Sequence, residues 1–150
     1  MYKRILVAID NSTTAQKALG EAIALARALG ANLCIANAAD EAPLSQHGMG
    51  LGSYIDVDKV KEEMRAASNS LLAQALAQAT TAGCQAEVLA IESAERRLAS
   101  MIVDAATTWN ADLIVMGTHG RRGFERLLVG SVAEHVIRIT TTSLMLVREQ

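Results

Sequence analysis

The segment GTHGRRGFERLLVGS, residues 117–131, places four of the chain's ten glycines within fourteen positions, directly after the apolar run ADLIVM. Glycine inside ordered structure costs roughly 0.5–1 kcal/mol relative to alanine, so the cluster calls for a geometric reason. One such reason is anion chemistry. Without a Cβ, main-chain amides approach a phosphate closely, and a helix N-terminus supplies unpaired N–H groups and partial positive charge. If a helix begins near Ser131, Gly130–Ser131 is a seat for phosphate and the Ser131 hydroxyl adds a donor. Arg121, Arg122 and Arg126 bring positive charge to this stretch of a chain whose net charge is −2. An ordinary turn followed by a flexible connection would use the same residues.

Two common phosphate motifs are absent. No GxxxxGK[ST] occurs, and D10-N-S-T-T after the first apolar run has no glycine where a GxGxxG fingerprint would need one. A P-loop NTPase and a dinucleotide dehydrogenase are therefore disfavoured. Among titratable residues, Asp10 and His119 stand closest to the glycine chemistry. His119 has no partner carboxylate or nucleophile at useful spacing and reads as phosphate-adjacent or solvated before catalytic, and Asp10 reads as a binding carboxylate before a general base. His47 reads as solvated, His135 as a surface or partner-facing residue, and Asp112 as a strand-entry residue. Cys34 and Cys84 each sit in an apolar, strand-like run, with no CxxC spacing, and read as buried free thiols.

The elements that must position these residues follow from periodicity. Lys3–Ile9 is a continuous apolar run closed by Asp10, which reads as a first strand rather than a signal peptide. Thr13 and Gln16 have capping-box spacing, predicting a helix that Gly30 stops. Asn32–Ala38 is a second strand. Residues 39–57 carry Pro43, Gly48, Gly50 and Gly52 and read as a long irregular connection. Asp58 opens a helix with the stripe Val60, Met64, Ala67, Leu71 and Ala75, and Gly83 ends it. Gln85–Ile91, Ala111–Met116 and Ser143–Val147 complete five strands. Helices are expected from about Ala94 to Trp109, with Ser93 as cap, and from Ser131 to about Ile139.

The strict alternation of apolar strands with helices predicts a single α/β domain over residues 1–150, a parallel sheet covered on both faces. In such a sheet ligands bind beyond the carboxyl ends of the strands, where strand order reverses. If the first and fourth strands are neighbours, Asp10 and Gly117 line one crevice. Hydrophobic residues make up 51% of the chain, but aromatics only 3%, so the core must be aliphatic and stacking platforms for nucleic acid are missing. With no basic field and no apolar run approaching ~20 residues, neither nucleic acid nor a membrane is an expected partner. The expected location is the cytoplasm.

The spacing Gly117-x2-Gly120-x9-Gly130-Ser131 resembles the ATP-binding signature G-x2-G-x9-G-[ST] of the universal stress protein family. KRILVAID is similar to that family's opening strand, and ADLIVMGTHGRRGFERLLVGSVAEHVIR to its most diagnostic block. The resemblance spans essentially the whole chain. It implies a five-stranded sheet in the order 3-2-1-4-5 with ATP beside strands 1 and 4. On that basis Ala8 and Ile9 line the base, Asp10 holds the ribose or adenine side, and Ala38 lies against adenine. Met116 and Gly117 flank the ribose, His119 and Gly120 border the phosphates, and Gly130, Ser131 and Val132 donate to them. Mg²⁺ or Mn²⁺ would arrive with the nucleotide. The chain departs from the family pattern before its last strand, where T140-T-T-S-L-M-L-V lacks the usual prolines.

An apolar fifth strand at a sheet edge is normally covered or paired. Two-fold pairing through Ser143–Val147 answers this, and the resemblance implies the same homodimer. The preferred reading is a cytoplasmic dimer that binds ATP in a stress response, with at most slow hydrolysis. A genuine ATPase or nucleotidyl-transfer enzyme using Asp10 or His119 is the alternative. A further one is an interaction protein, its own protein partner unidentified, whose nucleotide site is unused.

Overall fold

The computed structural model describes residues 1–39, 56–92, 96–119 and 129–149. Their order is β1 (Arg4–Ala8), α1 (Thr13–Leu29), β2 (Asn32–Ala38), α2 (Val57–Thr81), β3 (Ala86–Ile91), α3 (Leu98–Thr108), β4 (Leu113–Gly117), α4 (Ser131–Ile139) and β5 (Ser143–Val147). The strands form one sheet in the order β3-β2-β1-β4-β5. Every pairing is parallel, with Arg4 opposite Asn32, Ile5 opposite Leu113, Leu33 opposite Ala86 and Leu113 opposite Ser143. The alternation of strands with helices thus gives the sheet that the sequence predicts.

Side chains alternate between two aliphatic layers, as the period of a strand requires. Ile5, Val7, Leu33, Ile35, Leu113 and Val115 face one side, where α1 and the C-terminal half of α2 cover them. Leu6, Cys34, Ala36 and Ile114 face the other, against Ile102 and Ala106 of α3. Met116 continues this second layer against Ala133 and Val136 of α4. The buried stripe of α1 is mostly alanine, with Ala15, Ala18, Ala22 and Ala26. Small side chains there let the helix lie close to the sheet.

Helix boundaries correct the sequence reading in four places. Thr13 is not the cap of α1. Ser12 is, its hydroxyl accepting from Ala15 N at 3.1 Å, so the capping signal lies one residue earlier than the Thr13–Gln16 pair implied. Asp56, rather than Asp58, caps α2 by accepting from Lys59 N. The described part of α3 begins at Leu98, four residues after the expected start, while its expected cap Ser93 lies outside the described residues. The stripe of α2 is also displaced: Leu72, Ala75 and Ala79 are buried, Ala67 is exposed, and Val60, Met64 and Leu71 are half-buried. At the C-termini, Gly30 (φ 63°) and Gly83 (φ 73°) adopt the left-handed conformation that only glycine takes without strain.

The end of the sheet where the strands begin is closed by one cluster. The Asp112 carboxylate accepts from Lys3 N and Arg4 N at 2.8 and 3.1 Å, its expected strand-entry role. The Arg4 guanidinium lies 4.0 Å over the Trp109 ring and donates twice to the Trp109 carbonyl. The Trp109 indole N–H in turn donates to Glu87 on β3. Both cysteines are buried and free. Burial above all, with the nearby Glu87 charge, pushes the Cys34 thiol up to about 12, against a smaller opposing effect of Arg4. Cys84 lies in the turn before β3 rather than within a strand, and burial raises its pKa as well.

Candidate functional site

The two central strands part company at their carboxyl ends. Along β1 and β4 the ladder runs through Asp112 N to Arg4 O at 2.9 Å, with Ala8 opposite Met116 as the last pair. One more step would send Thr118 N–H to the Asp10 carbonyl. Instead Thr118 N–H bonds Val147 O of β5 at 2.9 Å, while Ile9 N–H bonds Ala36 O of β2 at 2.9 Å. One strand end follows its left neighbour and the other its right, opening a crevice between Ile9–Asp10 and Thr118–His119. This is the switch point at which an open parallel sheet binds ligands.

Asp10 stands at one lip. Its Oδ1 accepts from Ser12 N at 2.8 Å, an Asx turn that feeds the chain into α1 and fixes the carboxylate at the crevice. Oδ2 is not used by this turn. At the other lip Thr118 is buried, its hydroxyl 3.0 Å from His119 Nδ1. That contact holds the imidazole at the lip of the crevice.

The N-terminus of α4 is tied to the same lip, because Gly130 N–H bonds the Thr118 carbonyl at 2.6 Å. Gly130 is the N-cap residue, and among the described residues no side chain caps this helix. The first-turn amides of Ser131, Val132 and Ala133 precede the helix's own hydrogen bonding and suit an anion. The exposed Ser131 hydroxyl stands beside them, whereas Val132 packs its side chain into the core and can contribute only its main chain. Among the described residues no group of three His, Cys, Asp or Glu side chains could hold a metal ion.

Both described glycines of the motif have intramolecular reasons to lack a side chain. A Cβ at Gly117 would lie 3.0 Å from the Thr14 Cβ and 3.2 Å from its carbonyl carbon, where α1 crosses β4. A Cβ at Gly130 would lie 3.0 Å from the Thr118 carbonyl oxygen. The glycines thus let two helix N-termini close on the end of β4, a role that spacing alone did not reveal.

Of the expected site residues, Ala8, Ile9 and Asp10 lie at the end of β1, Ala38 at the end of β2, Met116, Gly117 and His119 along the end of β4, and Gly130, Ser131 and Val132 at the start of α4. All therefore gather at the carboxyl edge of the sheet. The side chains of Ile9 and Met116 point into the two core layers, so only their main chains face the crevice. Gly120, the three arginines at 121, 122 and 126, and His47 lie outside the described residues. Sequence reasoning missed Asn37, a buried polar side chain at the end of β2 that bonds both Ile9 O and Ser68 Oγ. Its signal was present: an asparagine breaking the apolar run LCIANA.

A doubly wound parallel sheet opening at the β1/β4 switch point, beside a helix N-terminus that no described side chain caps, defines the class of α/β protein. Residues 1–148 match the sequence profile of the universal stress protein family. The chain is 30% identical over 151 residues to universal stress protein YxiE of Bacillus subtilis, covering 99% of this chain and 100% of that protein. Its structure is similar to that of a universal stress family protein from Burkholderia pseudomallei, with 29% identity, a TM-score of 0.78 and coverage of 97% and 96%. It is also similar to a universal stress protein solved in complex with cAMP, with 27% identity, a TM-score of 0.69 and 97% coverage of both chains. The chain belongs to the universal stress protein family. No helix among the described residues is long and apolar enough to cross a membrane.

Proposed function

We propose that this protein binds ATP in the β1/β4 crevice and acts as a dimeric, cytoplasmic nucleotide-responsive module of the stress response, with at most slow hydrolysis. The observation that carries the reading is the joint at Thr118. It parts β4 from β1 and draws the start of α4 against the opening. In this reading the base lies by Ala8, Ile9 and Ala38, and Asp10 Oδ2 holds the ribose or adenine side. Met116 and Gly117 flank the sugar. His119 and Gly120 border the phosphate chain, and the amides of Gly130, Ser131 and Val132 donate to it. The donor set suits a polyphosphate, and Mg²⁺ or Mn²⁺ would be held by phosphate oxygens and water rather than by a side-chain cage. The cAMP-bound relative supports an adenine nucleotide as the ligand class.

The deciding experiment is to denature freshly purified protein by heat and identify the released nucleotide, then to titrate the emptied protein with Mg-ATP. ATP or ADP in stoichiometric amount, and saturable rebinding weakened by Ser131→Ala, are expected. No released nucleotide and no rebinding would defeat the reading. The Thr118–His119 contact bears on the catalytic alternative, because it holds an imidazole at the lip of the crevice. Steady ATP turnover abolished by His119→Ala with binding retained would establish that alternative.

A further inference from the structure

Asn37 and Ser68 form a connection that the phosphate motif does not account for. Hydrogen bonding along β2 alternates in direction: Asn32 N–H bonds Lys3 O ahead of β1, and Leu33 N–H bonds Gln85 O ahead of β3. Even-numbered residues of β2 therefore face β1 with both N–H and C=O. The register of Ala8 with Ala36 places Ala38 opposite Asp10. A continued ladder would join Ala38 N–H to Ile9 O. That carbonyl instead accepts from the Asn37 side-chain amide, Nδ2, at 2.8 Å. Asn37 Oδ1 accepts from Ser68 Oγ of α2 at 2.6 Å, which fixes the amide in this sense. Asn37 is 8% exposed, so both bonds are largely shielded from water.

We infer that Asn37, held by Ser68, is a positioning residue for the base end of the nucleotide site: it occupies the Ile9 carbonyl, halts the β1–β2 ladder one step early and leaves the Ala38 main chain open to the crevice. The inference rests on the nucleotide reading above for its consequence, but not for its geometry. Among the described residues nothing else takes the Ala38 N–H or C=O on its β1 side, and a donor and acceptor on one residue suit the edge of a purine, whereas a zipped Ala38 would offer the base only a methyl group. Ser68 lies one turn before Leu72, where α2 first buries a side chain against the sheet. The hydroxyl is thereby set by a packed helix rather than by a loop.

The test uses the full chain and the variants Asn37→Val and Ser68→Ala. Valine suits a strand and offers no amide, so Ala38 N–H is free to take the Ile9 carbonyl. Asn37→Val should weaken ATP binding about tenfold, the loss of one to two hydrogen bonds. Affinity for inorganic tripolyphosphate, which has no base, should stay within about twofold, and the melting temperature should not fall. Ser68→Ala should show a smaller loss of the same kind. Parallel losses for ATP and tripolyphosphate, together with a lowered melting temperature, would mean a merely structural role and overturn the inference. So would unchanged ATP affinity in Asn37→Val. A ligand-free arm separates this inference from the nucleotide reading. Amide exchange at Ala38 should be fast in the wild-type apoprotein and slowed in Asn37→Val, whether or not ATP binds. An Ala38 amide as protected as that of Ala36 in the wild type would refute the clamp.

Discussion

Gly117 and Gly130 show how much one hydrogen atom in place of a methyl group decides. Their would-be Cβ atoms meet Thr14 and the Thr118 carbonyl at 3.0 Å each. Gly117→Ala should cost about 1–3 kcal/mol in denaturant unfolding, the usual penalty for forcing a methyl into packed surroundings. A bulky residue at Gly130 would strike Thr118 before it met any ligand. Loss of nucleotide in that variant therefore has to be read beside its melting temperature, and Ser131→Ala is the cleaner probe. Cys34 yields a pH prediction. Its thiol titrates near 9 in the unfolded chain and near 12 when folded, so between those values the folded form retains the proton and the unfolded form releases it. Stability from this group is intact below about pH 9 and declines as pH rises toward 12. Urea midpoints at pH 8 and pH 10 should therefore fall less in Cys34→Ala than in the parent, and the native thiol should resist thiol reagents at neutral pH.

At the level of elements, α2 is two different objects in one helix. It runs for 25 residues, about 37 Å at 1.5 Å each, well beyond the strands it covers. Buried side chains begin only at Leu72; Val60 and Met64 are half-buried. Hydrogen exchange should be fast from Val57 to about Ala67 and slow from Leu72 onward, because local opening follows the burial of apolar contacts. Uniform protection along the helix would contradict this. The displaced stripe also shows what the sequence could and could not tell. Strand positions were legible from the apolar runs between helical segments, whereas their order came only from the resemblance to the universal stress protein family. The glycine spacing was legible, but its packing reasons, the close approach of Thr14 to Gly117 and of the Thr118 carbonyl to Gly130, were not. Helix starts were not: Ser12 and Thr13, or Asp56 and Asp58, are equally good caps on paper, and only the approach of the chain to the sheet selects one. Asn37 interrupts the apolar run LCIANA, but that interruption alone does not say what the side chain bonds. Its meaning lies in two partners 28 and 31 residues away.

For the molecule as a whole, the sheet has two unlike edges. On β3, Val88 is 40% exposed, and its side of the sheet is only partly covered. On β5, Leu144, Met145 and Leu146 are half-buried, and Ile137 and Ile139 of α4 add exposed apolar surface nearby. This supports pairing through Ser143–Val147 as the proposed dimer contact. Sedimentation should give a dimer at micromolar concentration for the parent and a folded monomer for Met145→Glu. A monomeric parent would refute that contact.

The Arg4–Trp109–Glu87 cluster lies at the opposite end of the strands from the crevice, and the chain has a single tryptophan. Intrinsic emission should accordingly be blind to nucleotide yet change sharply on unfolding. Fluorescence would then separate occupancy from collapse: with unlabelled nucleotide, the indole reports unfolding alone, and a parallel titration with an extrinsic adenine fluorophore reports occupancy.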